Sequence, residues 1–209
     1  KTLVDERRKH PGDSDTDVLT RLIEGEENGE RLTESELLHQ CIFLLNAGHE
    51  TTTNLIGNAL HALAEWPSEK AFLIQSSHDA EPMRIAVEEF LRFESSNQLG
   101  NRITTRELEV GGVTLPPQSR ITMCIGAANR DPAQFADPDR LDLTREPNRH
   151  IAFGFGIHTC AGMNLARLEA RVAIARFLTR FPNYAPVGDP VRGGRARFRG
   201  FLHLPARVG

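Results

Sequence analysis

The chain has 209 residues, enough for one domain of ordinary size with its own core. A net charge of −3 and a pI near 6.3 give a nucleic-acid role no compositional support. Cys41, Cys124 and Cys160 are far apart and odd in number, which argues against a disulfide framework and for a reducing, intracellular setting, so a cytoplasmic location is expected. No apolar run is long enough to cross a bilayer.

Lys1 to Lys9 reads as a helix, and the chain opens inside it without a Met. Pro11 to Asp15 is a loop. Val18, Leu19, Leu22 and Ile23 give a short amphipathic helix, and Glu24 to Glu30 is acidic and expected to be exposed. Thr33-Glu34-Ser35-Glu36 is a capping box, with Thr33 as N-cap and Glu36 reaching back to it. The helix it opens runs to about Trp66, where Pro67 stops it, a length of about 45–50 Å. It is apolar nearly all round from Leu37 to Leu45, which predicts a path through the middle of the protein.

In the centre of that helix sits Ala47-Gly48-His49-Glu50-Thr51-Thr52-Thr53. Glycine costs about 1 kcal/mol in a helix interior, and β-branched threonine is also a poor choice. Such a local conflict in a core helix marks a candidate functional segment. Gly48 would let a flat ligand lie against the helix, the Thr51 hydroxyl can bond a ligand or a freed carbonyl, and Glu50 is an acid able to relay protons. The alternative is a merely bent helix whose threonines bond back to carbonyls four residues earlier.

Ser68 to Ser77 and Pro82 to Phe93 read as two further helices. Glu89 and Arg92 share a face of the second; an exposed pair at that spacing means little, whereas a buried pair needs further partners. From Asn101 the pattern turns to strands: Ile103 to Thr105, a hairpin of Leu108–Val110 and Val113–Leu115 through Gly111-Gly112, and Arg120 to Cys124. Ala127 to Arg145 is a winding, Asp- and Pro-rich loop. Phe153-Gly154-Phe155-Gly156-Ile157-His158-Thr159-Cys160-Ala161-Gly162 then delivers a cysteine to the start of a helix, Met163 to Leu178. A helix N-terminus stabilises a thiolate, and the glycines let a flat partner approach closely. A planar cofactor held by a single sulfur would suit this loop. The competing readings are a buried structural cysteine in a glycine-rich turn and a zinc site, the latter lacking a Cys-x-x-Cys pair. Residues 183–209 read as short strands and turns.

The loop resembles the cysteine-ligand loop of cytochrome P450, the haem-thiolate monooxygenases: Phe153, Gly156, His158, Cys160 and Gly162 match every fixed position of F-x-x-G-x-(H/R)-x-C-x-G. Ala47 to Thr52 resembles that family's oxygen-activation motif, and Glu89-x-x-Arg92 its E-x-x-R, a structural network completed in the family's meander by Arg140. Arg102 matches an arginine that holds a haem propionate, its other reading being a strand-edge surface arginine. Phe198 to Leu202 resembles the hairpin that touches substrate. The resemblance implies a mainly α fold with small β-sheets (α+β), the C-terminal half of the cytochrome P450 fold, and residues 1–209 as a single partial domain.

By that resemblance the cofactor is haem b (iron protoporphyrin IX), with Cys160 as metal ligand, His158 and Arg102 on the propionates, Phe153 packed against the loop and Gly154, Gly162, Ala47 and Gly48 lining the cofactor. Glu50 and Thr51 would deliver protons to iron-bound dioxygen on the opposite face. The implied reaction is NAD(P)H-driven hydroxylation of a small organic substrate, with electrons from a ferredoxin or flavodoxin. Complete members are about twice as long, so a fragment of a longer protein and a natural short form are both open, as are an active enzyme and a haem-binding or structural remnant without turnover. Half a fold would expose apolar surface along Leu37 to Leu60 and invite self-association.

Overall fold

The computed structural model describes residues 1–27, 30–76 and 79–208. The chain runs through helices α1 (Thr2–Lys9), α2 (Val18–Glu24), strands β1 (Glu26–Glu27) and β2 (Glu30–Arg31), and helices α3 (Glu34–Glu65), α4 (Pro67–Gln75) and α5 (Ala80–Phe93). Strands β3 (Leu99–Ile103), β4 (Leu108–Val110), β5 (Val113–Leu115) and β6 (Arg120–Cys124) follow, then α6 (Ile125–Ala128), the long α7 (Met163–Arg180), and β7 (Ala185–Pro186), β8 (Val191–Arg192), β9 (Phe201–His203) and β10 (Ala206–Arg207). Among the described residues the strands form antiparallel pairs only, so the fold is mainly helical with small sheets, as expected. Asn28 and Gly29 of the acidic stretch, and Ser77 at the expected end of α4, lie outside the described residues.

The chain forms two units, Lys1–Glu50 and Thr51–Gly209. In the first, Asp17 caps α2 by accepting the Leu19 and Thr20 N–H groups, and Arg7 ties α1 to Asp17 at 3.0 Å. The capping box closes as expected: the Thr33 N–H donates to Glu36 Oε2 at 2.8 Å, and the Glu36 N–H donates to Thr33 Oγ1 at 3.3 Å. The Thr33 N–H and hydroxyl, both donating to Glu36 Oε2, hold the Glu36 carboxyl below its usual range. Thr33→Ala is expected to lower the melting temperature by about 2–4 °C, read by circular dichroism; no shift would mean that α3 starts without help from its cap.

Burial of the segment from Leu37 to Leu45 is where expectation fails. Leu37 is buried, but Ile42, Phe43, Leu44 and Leu45 are exposed, Leu45 by 71%. The central core cluster takes its first residue on α3 only at Leu55, so the preceding turns have no such packing among the described residues. The expected apolar surface from Leu37 to Leu60 is correspondingly shorter, because Leu55 and Ala59 are buried.

In the second unit Leu63, Leu73, Phe90, Leu141, Ile174 and Leu178 are among the buried residues of one cluster drawn from α3, α4, α5, the winding loop and α7. Tyr184 locks its edge: its hydroxyl donates to Leu60 O at 2.6 Å, and Lys70 Nζ lies 3.8 Å from its ring centroid. The hairpin forms with Val110 opposite Val113, and Gly111 and Gly112 adopt φ of 56° and 77°, the positive angles a two-residue turn needs. The first strand differs from expectation. It is Leu99–Ile103, paired from Leu99↔Cys124 to Ile103↔Arg120, and it ends before Thr104. The buried Thr104 hydroxyl donates to Pro116 O at 2.7 Å and accepts the Ser119 N–H at 2.9 Å, which turns the chain out of the ladder.

Candidate functional site

Cys160 sits at the end of a loop closed by its own backbone. The Cys160 N–H donates to Phe153 O at 2.9 Å, and the Gly154 N–H donates to Ile151 O at 2.9 Å. A 3₁₀ turn, Gly156–His158, is fastened by Thr159, whose N–H and hydroxyl both donate to Gly156 O at 3.0 and 2.8 Å. Gly154 has φ 74°, and a Cβ there would lie 3.3 Å from His158 O, so a side chain would be strained by the backbone angle and tight against the loop's own carbonyl. The loop ends at Gly162, the N-cap of α7, and the Met163 N–H points back to Cys160 O at 3.3 Å. The cysteine thus lies just before the helix rather than in its first turn.

The thiol is exposed and free of any disulfide, which removes the buried structural cysteine as a reading. Phe155 and Ile157 beside it are 87% and 98% exposed. Among the described residues no group of three or more His, Cys, Asp or Glu is placed to hold a metal, so a zinc site has no ligand set. A lone thiol flanked by exposed apolar side chains, with open space where a Cβ would stand on Gly156 and Gly162, fits a flat apolar group whose metal brings its other ligands with it.

The E-x-x-R pair is fully buried, both side chains at 0% exposure. Arg92 Nε and Nη2 donate to Glu89 Oε2 and Oε1 at 2.7 and 2.8 Å, a bidentate fork. Arg92 Nη1 donates onward to the Asn129 and Pro138 carbonyls at 3.0 and 2.8 Å. Glu89 in turn accepts the Asp142 N–H at 3.0 Å and Asn148 Nδ2 at 3.0 Å. The expected third member, Arg140, supplies only its backbone carbonyl, at 3.2 Å from Arg92 Nη2, and its side chain is exposed. Arg145 takes the place instead: its Nε lies 3.2 Å from Glu89 Oε2, and its Nη1 donates to Ala136 O at 2.8 Å.

Sequence reasoning also missed Glu88, Asn129, Asn148, His150 and Arg167. Asn129 is buried and accepts the Ile151 N–H at 2.8 Å, while Glu88 accepts Arg167 Nε at 2.7 Å and lies 2.9 Å from His150. Burial would push the Glu88 carboxyl up, but hydrogen bonds from His150 and Arg167 outweigh it and hold the group at about 2. The available signal was Asn148-x-His150, polar residues at a spacing of two in an irregular segment, and two consecutive acids on a buried helix.

The remaining candidates divide between elements. Cys160, His158, Phe153, Gly154 and Gly162 share the loop, with Phe153 half-buried and His158 exposed. Arg102 lies on β3, exposed, donating from Nη1 to the Asn101 carbonyl at 2.8 Å. Ala47, Gly48 and Glu50 lie on α3 in the first unit, and Thr51 begins the second. A Cβ on Gly48 would meet nothing within 4 Å, so that turn of helix is open. Phe201 lies on β9, paired to β8, and packs edge-on against His61 at 4.7 Å.

The family model described as Cytochrome P450 matches residues 1–192. The chain is 44% identical over 212 residues to cytochrome P450 107B1 of Saccharopolyspora erythraea, covering 99% of this chain and 51% of that protein. It is 39% identical over 210 residues to 6-deoxyerythronolide B hydroxylase of the same organism, covering 99% and 50%. Among solved structures it is similar to P450BioI in complex with a hexadec-9Z-enoic acid ligated acyl carrier protein, with a TM-score of 0.89, 37% identity, and coverage of 100% of this chain and 52% of that one. The chain spans about half the length of the curated relatives it matches.

Proposed function

The chain belongs to the cytochrome P450 family, and from that premise we propose that it carries the thiolate-ligand half of a haem-dependent monooxygenase. The supporting observation is the exposed, disulfide-free Cys160 thiol on a closed glycine loop that also carries two exposed apolar side chains, Phe155 and Ile157. Haem b bound through that sulfur would supply the dioxygen chemistry: one oxygen atom enters a small organic substrate as a hydroxyl, the other leaves as water, and two electrons from NAD(P)H and two protons balance the step.

The chain's own residues bind and orient. Cys160 holds the metal through its thiolate, while Phe153 packs against the loop beneath it. His158 and Arg102 donate to the cofactor's carboxylates, and both side chains are exposed and able to do so. Gly154 and Gly162 keep the loop close to the ring, and Ala47 and Gly48 line it from α3, where a Cβ on Gly48 would meet nothing within 4 Å. Thr51 and Glu50 hold and pass protons, the hydroxyl at Thr51 Oγ1 and the carboxylate at Glu50. We read residues 1–209 as one partial domain acting in the cytoplasm, with a ferredoxin or flavodoxin as electron donor. No helix among the described residues is long and apolar enough to cross a membrane.

The deciding experiment is the carbon-monoxide difference spectrum of the reduced, haem-loaded chain. A band of thiolate-ligated haem supports the proposal, and absence of haem uptake rejects it. A second reading, a haem-binding or structural remnant without turnover, draws on the exposed Ile42–Leu45 segment. Substrate-dependent NADPH consumption with a surrogate ferredoxin separates the two.

The same segment leads us to propose self-association of the chain. Four consecutive apolar side chains exposed around one turn of a helix are an apolar band that water disfavours. Sedimentation velocity should show concentration-dependent oligomers that Phe43→Ser with Leu45→Ser disperses. A monomer at every concentration would dismiss the idea.

A further inference from the structure

Glu88 and Glu89 are neighbours on α5, about 100° apart around the helix, and they grip different parts of the segment leading to Cys160. Glu89 holds Arg145 and Asn148. Glu88 holds His150 in the next stretch and Arg167 on α7, beyond Cys160. Its Oε1 and Oε2 accept Arg167 Nε and Nη2 at 2.7 and 2.9 Å, and its Oε2 also lies 2.9 Å from His150 Nε2. The other imidazole nitrogen, Nδ1, accepts the Ala152 N–H at 3.2 Å. A donor on one side and a carboxylate on the other fix the tautomer: Nε2 carries the proton and Nδ1 is bare.

Both partners of Glu88 lie against Phe153. The Arg167 guanidinium carbon is 4.7 Å from the Phe153 ring centroid, and the His150 ring is 6.2 Å away, tilted by 53°. Phe153 then accepts the Cys160 N–H through its carbonyl at 2.9 Å. A continuous path therefore runs from the α5 carboxylate through imidazole and peptide to the backbone of the cysteine. Arg167 alone would suffice to tie α7 to α5; His150, 4% exposed and accepting the N–H of Ala152, the residue before Phe153, directs the cluster onto the loop.

We propose that Glu88, His150 and Arg167 form a positioning cluster that holds Phe153 by its ring and through the N–H of the residue before it, Ala152, and so sets how Cys160 presents its sulfur. Its role toward haem rests on Cys160 being the ligand; the positioning itself does not.

Amide hydrogen exchange, resolved to single residues in the chain without added haem, tests the positioning directly. His150→Ala should raise exchange at Cys160 and Gly154 about tenfold or more, while Phe90 and Leu91 in α5 change less than about twofold. His150→Asn can still offer an acceptor to Ala152 but does not reach Glu88, and His150→Gln does the reverse, so each should restore part of the protection. Arg167→Gln is a second probe that leaves the His150 arm intact, and should loosen Cys160 too. Unchanged exchange at Cys160 in both His150→Ala and Arg167→Gln, or a uniform rise across every slow amide, overturns the proposal and leaves the cluster a simple tether. The haem-loaded chain separates the two readings. If the parent binds no haem but the exchange pattern is as expected, the positioning stands and the ligand assignment falls. If the parent shows the thiolate band and the variants alter neither band nor exchange, the positioning alone falls.

Discussion

Cys160→Ser is expected to abolish the carbon-monoxide band of thiolate-ligated haem while leaving the chain folded. A serine hydroxyl stays protonated near neutral pH, whereas an unperturbed thiol ionises near about pH 8.5 and ionises far more readily against a metal. The substitution therefore removes the charge and the soft donor together. It disturbs little else: the side chain is exposed, and the loop closes through the Cys160 N–H, which serine retains. A surface change of this kind should shift the melting temperature by no more than about 2 °C. Cys124 is also exposed and Cys41 half-buried, so Cys124→Ser and Cys41→Ser are the controls and should keep the band. A band that survives Cys160→Ser, or is lost equally in Cys124→Ser, would refute the assignment.

Glu89→Ala is expected to have the largest effect on stability. The carboxylate is fully buried and receives the Arg92 fork, the Asp142 N–H, Asn148 and Arg145. Its removal leaves the Arg92 guanidinium buried without its counter-charge, a change worth about 3–5 kcal/mol. Against a total of about 5–15 kcal/mol for a folded domain, that is a large share. The melting temperature should fall by about 10 °C or more, and much of the chain should become insoluble or protease-sensitive. Glu89→Gln, which keeps an acceptor in place, should fall less. The exposed pair Arg84–Glu81 is the contrast, since Arg84→Ala should shift melting by only about 1–2 °C. A Glu89→Ala melt within 2 °C or so of the parent would show that the network does not support the fold.

The elements set by neighbours in sequence were legible beforehand. Thr33 with Glu36, Pro67 after Trp66, and Gly111-Gly112 between two short apolar runs each specify their own backbone, and each stands where expected. The Glu89–Arg92 pair was legible as a pair on one face, and its burial goes with that of Val87, Phe90 and Leu91 beside it on α5. What failed depends on distant partners. Arg140 and Arg145 are equally good candidates by spacing, and only the path of the winding loop decides that Arg145 points inward. Thr104 reads as a strand residue until Pro116 and Ser119 come back to meet its hydroxyl. Leu45 reads as core because apolar periodicity reports what a residue can bury against, not what lies beside it. At the candidate site, the thiol and its glycines were legible; Glu88, His150 and Arg167 were not, since 62 and 79 positions separate them along the chain.

Two consecutive glutamates gripping two stretches of one strap make α5 a rotational index for everything downstream of it. Because each residue turns the helix by about 100°, deleting or inserting one residue between Asp79 and Glu88 would swing both carboxylates off their partners at once, releasing Arg145, Asn148, His150 and Arg167 together. Substitutions at exposed positions of the same helix, such as Glu81, leave that index untouched. In recombination or loop-grafting of this chain, the helix can change its surface freely but not its length, and crossover points belong outside the span from Asp79 to Arg167.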